Sequence, residues 1–381
     1  MKTLTVLGAG FGGLATAYEL SKLLPKNNRV LLVDRKRKFS MGLSHLWLMT
    51  GERKTREECE RDLAAVEKHG VVFVNEEVLK IDPAKKTVKT TGGEWQSDYL
   101  VIALGAALAP AEIPGFQESA LNLYEIEGAL QIQKQLQAFR GGRVAVLITR
   151  TPFKCPPAPY EAALLLDSYL RGRGLREKTE IDVYTPEPQP MPVAGREVGA
   201  AVEKMLAERG IGYHKQHTVV KVEDHKLVFD KAEAAYDLLI GVPPHRPPQV
   251  VVDAGLTDST GWIPVDSRSM RTGFENVFAV GDVVSIRLEN GMYLPKAGVF
   301  AEAQGAAVAR IIAAEVLDMD ARELFDGKGY CFLDVGDGMA ALGTGDFYAS
   351  PAPRITLEPP SQRHRIEKLN FEKTRLQAWL P

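Results

Sequence analysis

Gly8-Ala9-Gly10-Phe11-Gly12-Gly13 is the stretch that decides the fold. The short apolar and β-branched run Thr3-Leu4-Thr5-Val6-Leu7 precedes it, and the helix-like Leu14-Ala15-Thr16-Ala17-Tyr18-Glu19-Leu20 follows. A second run, Arg29-Val30-Leu31-Leu32-Val33, ends in Asp34. Strand, glycine turn, helix, strand and terminal acid make a dinucleotide-binding βαβ unit. Gly8 permits the tight turn, Gly10 lets a pyrophosphate approach, and Gly13 lets helix and strand pack closely. Asp34 would accept hydrogen bonds from a ribose, and its charge would repel a ribose phosphate.

A second βαβ pattern starts at Arg143-Val144-Ala145-Val146-Leu147-Ile148, but its turn is of another kind. It reads Thr149-Arg150-Thr151-Pro152-Phe153-Lys154-Cys155-Pro156-Pro157-Ala158-Pro159-Tyr160-Glu161, with no glycine. Prolines remove amide donors, so a pyrophosphate cannot be cradled there in the usual way. The turn instead offers a thiol near a helix N-terminus, where a thiolate is favoured. Further elements are expected as helix Tyr160–Arg171, strand Ile181–Tyr184, helix Gly195–Arg209 and late strands at 227–229 and 238–241. The proline-rich loops 186–192 and 243–248 read as stiff segments lining a cleft.

Composition excludes several classes. The 381 residues carry 47 basic and 49 acidic side chains, a formal net charge of −2, and no basic run interleaved with aromatics, so nucleic acid is not an expected partner. No apolar stretch of about 18 residues is present, so no membrane-spanning helix is expected. The first strand begins almost at once, which reads as structure and not as an export signal, so cytoplasmic residence is expected. Three cysteines are too few for a disulfide scaffold. No metal site is expected.

Two later segments resemble those of flavoproteins with two dinucleotide-binding domains. Asp98-Tyr99-Leu100-Val101-Ile102-Ala103-Leu104-Gly105-Ala106 is similar to their crossing strand, and Thr272-Gly273-Phe274-Glu275-Asn276-Val277-Phe278-Ala279-Val280-Gly281-Asp282 to their FAD motif. The fold class implied is α/β, with two Rossmann-like domains and a small C-terminal α+β domain. The expected limits are 1–107 with 253–318 for FAD, 108–252 for the second domain, and 319–381 for the third.

Cys155-Pro156-Pro157-Ala158-Pro159-Tyr160-Glu161, Leu294-Pro295-Lys296-Ala297-Gly298 and Cys331-Phe332-Leu333-Asp334-Val335-Gly336-Asp337 narrow the likeness. They resemble the sulfide:quinone oxidoreductase and flavocytochrome c sulfide dehydrogenase branch. The resemblance implies FAD held by Gly8, Gly10, Phe11, Gly12, Gly13, Asp34, Arg35, Val78, Ala103, Gly105, Gly281, Asp282, Lys296 and Ala297. It implies that Cys155 and Cys331 meet at the flavin, bridged by sulfur, with Cys331 giving the flavin-facing thiolate and Cys155 carrying the persulfide. Hydrosulfide would attack one sulfur while the other leaves as thiolate. Glu161 could shuttle a proton if burial raises its pKa, or could serve the helix dipole. Lys296 would lie near the flavin pyrimidine edge.

The implied substrate is sulfide or a related sulfur species, and the implied acceptor a quinone or a cytochrome-like protein. The chain departs from many quinone-reducing members in lacking a third cysteine near Tyr124–Gly128 and histidines in loop 188–192. Cys59 lies in a charged stretch and is expected on an exposed helix, without a role. The tail 363–380 mixes basic residues with Ile366, Leu369, Phe371, Leu376 and Trp379. It could lie peripherally on an anionic membrane, pack on the protein, or meet a second subunit in a homo-oligomer. Two other readings stay open: an NAD(P)H-dependent flavin reductase, and a redox-sensing flavoprotein without catalysis.

Overall fold

Strands that are apolar at every position, and not at alternate ones, are suited to burial on both faces of a parallel sheet. That is where the runs quoted above are found. The computed structural model describes residues 1–320 and 324–381. A first five-stranded sheet has the order Val277–Ala279, Tyr99–Ile102, Thr3–Leu7, Arg29–Val33, Val72–Val74, all parallel. Leu4, Val6, Leu7, Leu100, Val101 and Phe278 are fully buried in it. A second has the order Leu121–Asn122, Leu238–Val242, Gly142–Ile148, Thr179–Tyr184, Ile211–His214, again parallel. Its Gly142–Ile148 strand leads through the proline turn into helix Ala158–Gly172, and Thr179–Tyr184 is followed by helix Arg196–Ala207. The elements expected from the sequence are present with ends moved by a few residues.

The C-terminal part, expected as a small α+β domain, is a three-stranded antiparallel sheet followed by one helix. Lys328–Gly336 pairs with Met339–Asp346, which pairs with Arg354–Ser361. The first connection places Asp337 and Gly338 at φ 54° and 70°, the left-handed pair a tight hairpin requires. Ser361 then caps helix Gln362–Trp379, its hydroxyl accepting from the His364 amide at 3.2 Å.

This helix settles part of the question left by the tail. Phe371, Leu376 and Trp379 are buried, and Phe371 and Trp379 meet the Phe11 ring of the first βαβ unit at 6.1 and 5.7 Å. The tail is therefore packed on the protein, although Ile366 remains 57% exposed. Among the described residues no helix is long and apolar enough to cross a membrane.

Cys59 corrects an expectation. It closes the short helix Arg56–Cys59 and is fully buried in the core that holds Leu46 and Ile132. The charges of the preceding residues point outward while the last side chain turns beneath helix Gly42–Met49. Burial raises its thiol pKa, so it behaves as a small core hydrophobe.

Candidate active site

The glycine turn is built as its sequence requires. A Cβ on Gly13 would stand 1.8 Å from the Gly8 carbonyl oxygen, so only glycine lets the helix close on the turn. A Cβ on Gly10 would meet nothing within 4 Å, which leaves open space beside the N-terminus of the helix Phe11–Leu23. Asp34 is oriented by the backbone, accepting from the Ala9 amide and the Lys36 amide, both at 2.7 Å. Ala103 closes the turn from the far side, its carbonyl only 2.3 Å from where a Gly8 Cβ would stand. Gly105 follows at φ 66° and Gly281 at φ 79°. Open space at a helix N-terminus, an ordered ribose-type acid and a second crevice acid at Asp282 fit a dinucleotide.

Three expected contacts are placed less directly. Arg35 is exposed and salt-bridged to Glu77 at 3.2 Å. Val78 begins the small antiparallel sheet 78–96, opposite Thr90. Phe11 stacks its ring on Phe371 at 6.1 Å.

Lys296 is no surface lysine. It is 8% exposed, donates to the carbonyls of Asp282 and Val284 at 2.6 and 3.1 Å, and stands 3.5 Å above the Trp262 ring. Burial lowers its pKa to about 8, with Asp282 opposing. Burial raises Asp282, while Lys154 and Lys296 pull it down. Ala297 follows as the residue before helix Gly298–Val316.

Cys155 sits at φ 51°, a left-handed value uncommon outside glycine. Its amide donates to the Lys296 carbonyl at 2.7 Å, its carbonyl accepts from the Ala158 amide at 2.9 Å, and the Tyr124 hydroxyl donates to the Lys154 carbonyl at 2.6 Å. The expectation of a helix-favoured thiolate is not met. Burial pushes the Cys155 thiol up to about 12, Glu161 adds to the rise and Lys368 opposes it. Desolvation outweighs the partial charge of one helix end. Cys331 is also a free thiol and is raised well above the ordinary value, first by burial and next by the charge of Cys155. The two thiols are thus close enough to feel each other, though they come from residues 176 positions apart in sequence.

Beneath them lies an ion cluster that the sequence reading missed. Glu161 is paired with Lys368 of the C-terminal helix and accepts from the Asp334 amide at 2.7 Å. Asp334 accepts from Trp47 Nε1 at 3.0 Å and is salt-bridged to Arg365 at 3.1 Å. All four charged groups are buried, and the Arg365 guanidinium lies 4.6 Å from the Trp47 ring. Burial raises Glu161, Lys368 opposes the rise, and Asp334 adds to it. An acid held by a lysine and an amide is a strut between the two cysteine segments before it is a shuttle. One signal existed: an aspartate inside the apolar run Leu333–Val335. Lys368 gave none, because a lysine among Arg365, Glu367 and Glu372 reads as a solvent face.

A cavity of about 520 Å³ opens at the carboxyl ends of the second sheet. Cys331, Lys296, Pro156 and Pro157 line it, and so does the proline loop at Pro186, Pro188 and Pro192. A second, open groove of about 710 Å³ lies between the C-terminal sheet and helix, lined by Tyr330, Phe332, Phe371 and Arg375. No cluster suited to a metal ion occurs among the described residues.

Residues 2–148 and 161–307 match the pyridine nucleotide-disulphide oxidoreductase family. The chain belongs to that family. It is an FAD-dependent oxidoreductase of it. Within it, residues 129–191 match the central segment of the flavoprotein chain of flavocytochrome c sulfide dehydrogenase. The chain is 29% identical to the sulfide-quinone reductase of Aquifex aeolicus, over 95% of its own length and 85% of that protein. It is 24% identical to the mitochondrial sulfide:quinone oxidoreductase of Mus musculus, over 94% and 81%. The crystal structure of the Aquifex aeolicus sulfide:quinone oxidoreductase superposes with a TM-score of 0.90 at 28% identity, covering all of this chain and 91% of that one.

This pyridine nucleotide-disulphide oxidoreductase has the α/β fold expected, yet its second turn does not suit a pyridine nucleotide. The Cys155 amide is spent on Lys296. Glu187, close behind the second strand where a ribose acid would stand, accepts instead from the Tyr160 hydroxyl at 2.6 Å.

Proposed function

We propose that this FAD enzyme oxidises sulfide through Cys155 and Cys331 and delivers the electrons to a quinone. The observation that carries the reading is the cavity with Cys331 in its wall and the prolines after Cys155 beside it, where the second sheet would otherwise take a pyridine nucleotide. The sulfide-quinone reductase relatives support the same chemistry.

FAD, when bound, supplies a two-electron acceptor that can be reoxidised by a second substrate. Gly8, Gly10, Gly12, Gly13 and Asp34 would hold its pyrophosphate and ribose, and Gly281, Asp282, Lys296 and Ala297 its redox-active half. Arg35, Val78, Ala103 and Gly105 complete that set.

The chain's own part is sulfur exchange. Hydrosulfide attacks one sulfur of a bridged Cys155–Cys331 pair, one sulfur–sulfur bond forms, the bridging bond breaks, and the other cysteine leaves as thiolate. Cys155 carries the persulfide and Cys331 becomes the thiolate. Both thiols are raised by burial, so the bridged form and a nearby cation are what make a thiolate leaving group accessible. Glu161 and Lys368 fix the two segments in reach of each other. The aromatic groove at Tyr330, Phe332 and Phe371 suits a planar ring acceptor and lies along the same strand as Cys331. The sheet memberships support domain limits of 1–107 with 253–318, 108–252 and 319–381.

The test is anaerobic. Sulfide should bleach the flavin, and a short-chain quinone should restore it faster than cytochrome c or oxygen. Bleaching by NADH in place of sulfide would remove the reading.

A further inference from the structure

We propose that Glu187 is the general base of the sulfur cavity, taking the proton from hydrogen sulfide so that the attacking species is hydrosulfide. The inference rests on the sulfide reading above. Glu187 is the one carboxylate among the described residues that line the cavity holding Cys331, and it is 4% exposed. Its surroundings are otherwise apolar or proline-rich: Phe153, Pro186, Pro188 and Met191. A neutral molecule such as hydrogen sulfide enters such a space more readily than an anion does, because the anion must shed its water. The attack, however, needs the anion. A base inside the cavity resolves that conflict.

The geometry keeps the carboxyl fit for this work. The Tyr160 hydroxyl donates to Glu187 Oε2 at 2.6 Å and the Thr185 hydroxyl at 3.2 Å, while the Glu187 amide donates to Thr185 Oγ1 at 3.1 Å. The side chain is therefore fixed, and its donors are neutral hydroxyls; among the described residues no lysine or arginine pairs with it as Lys368 pairs with Glu161. Tyr160 joins it directly to the start of the cysteine helix. The other titratable groups around it are Tyr213, with Glu203 beyond that hydroxyl, Tyr124, and Lys296, Tyr293, Tyr330 and Cys331 on the cavity walls. His214 stacks on Tyr184, the last residue of the strand that leads to Glu187, and His217 meets the same ring edge-on at 5.9 Å. Burial raises Glu187 to about 7, with Tyr160 and Thr185 pulling it down, which matches the ionisation of hydrogen sulfide near neutrality.

The step balances. Hydrogen sulfide and the Glu187 carboxylate give hydrosulfide and the neutral acid; one S–H bond breaks, one O–H bond forms, and no electron moves. The proton then passes to solvent water.

The experiment is stopped-flow reduction of the bound flavin by sulfide in wild type and Glu187→Gln, from about pH 6 to about pH 9. Bound FAD and its visible spectrum report the fold. The wild-type rate should exceed that of the variant by about tenfold or more up to about pH 7, and the ratio should fall toward unity at about pH 9, where solvent already supplies hydrosulfide. A ratio that is the same at every pH, or no deficit at about pH 7, overturns the proposal. Tyr160→Phe is the second variant. Loss of its donor should move the same limb to higher pH, and an unmoved limb also overturns the proposal. Wild-type flavin that sulfide fails to bleach at any pH would sink the sulfide reading itself, a different outcome from either.

Discussion

Lys368 of the C-terminal helix is ion-paired to Glu161, the fourth residue of the helix that follows Cys155. Both are buried, at 2% exposure each, and Glu161 also takes the amide of Asp334, three residues beyond Cys331. One carboxyl thus joins the two cysteine segments to the tail. Removing the lysine alone leaves a buried acid uncompensated. Lys368→Met should destabilise the protein by about 3–5 kcal/mol in denaturant unfolding. Adding Glu161→Gln should recover part of that loss, and a double variant no better than the single would refute the pairing.

Cys155→Ser and Cys331→Ser should each retain FAD and lose sulfide-driven bleaching by about a thousandfold, as removal of a nucleophile does. Cys59→Ser should leave the bleaching rate as it was, because that thiol is sealed in the core. Full bleaching in either of the first two variants would remove the cysteine mechanism.

Gly10 and Gly13 separate binding from folding. Gly13→Ala drives a methyl into the Gly8 carbonyl and should cost about 1–3 kcal/mol of stability. Gly10→Val meets open space and should change stability by no more than about 0.5–1 kcal/mol. It should nevertheless weaken FAD about tenfold or more, because the branched side chain fills the space beside the helix N-terminus. FAD titration by flavin fluorescence, beside urea unfolding of the apoprotein, tests both.

The apoprotein should lose stability in acid through two histidines. Burial lowers His45 to about 4 and His245 to about 3, and in both the Lys154 charge acts the same way. The folded state therefore binds fewer protons than the unfolded one below the ordinary histidine value of 6.5. Stability falls as pH drops from there toward 4, by up to about 1.4 kcal/mol per pH unit for each. Glu187 has the opposite sign: its raised pKa gives stability in acid that is lost as pH climbs through about 7. His245→Gln should flatten the acid limb of the unfolding free energy, and an unchanged limb would refute the assignment.

Lys296 should set the flavin potential. Lys296→Met removes the buried ammonium near the expected reduced ring and should lower the two-electron midpoint by about 30 mV or more, a tenfold change in equilibrium. Wild type should approach the variant's behaviour as pH rises through about 8, where Lys296 loses its proton. Spectroelectrochemical titration at several pH values checks both.

What could be read without coordinates was local. Val144–Ile148 is apolar at each position, so strand and burial follow from the string alone. Gly8, Gly10 and Gly13 each answer to a steric rule that acts over a few residues. The prolines flanking Cys155 announced a turn without free amides for the same reason. Cys59 misled because its charged neighbours on Arg56–Cys59 were read as a surface, while the end of a four-residue helix can turn a side chain either way. Lys368 and Arg365 misled in the same sense, since charge on a helix ordinarily means water.

The sequence by itself determined the two βαβ frames, the open glycine turn of the first and the blocked turn of the second, because sterics and missing donors are properties of neighbouring residues. Only the tertiary structure decided that Glu161 is held by Lys368, that Glu187 lines the cavity of Cys331, and that burial raises both thiols. Those facts depend on which distant charges share one dry space, and the energy of a charge is set by that space and not by its place in the chain.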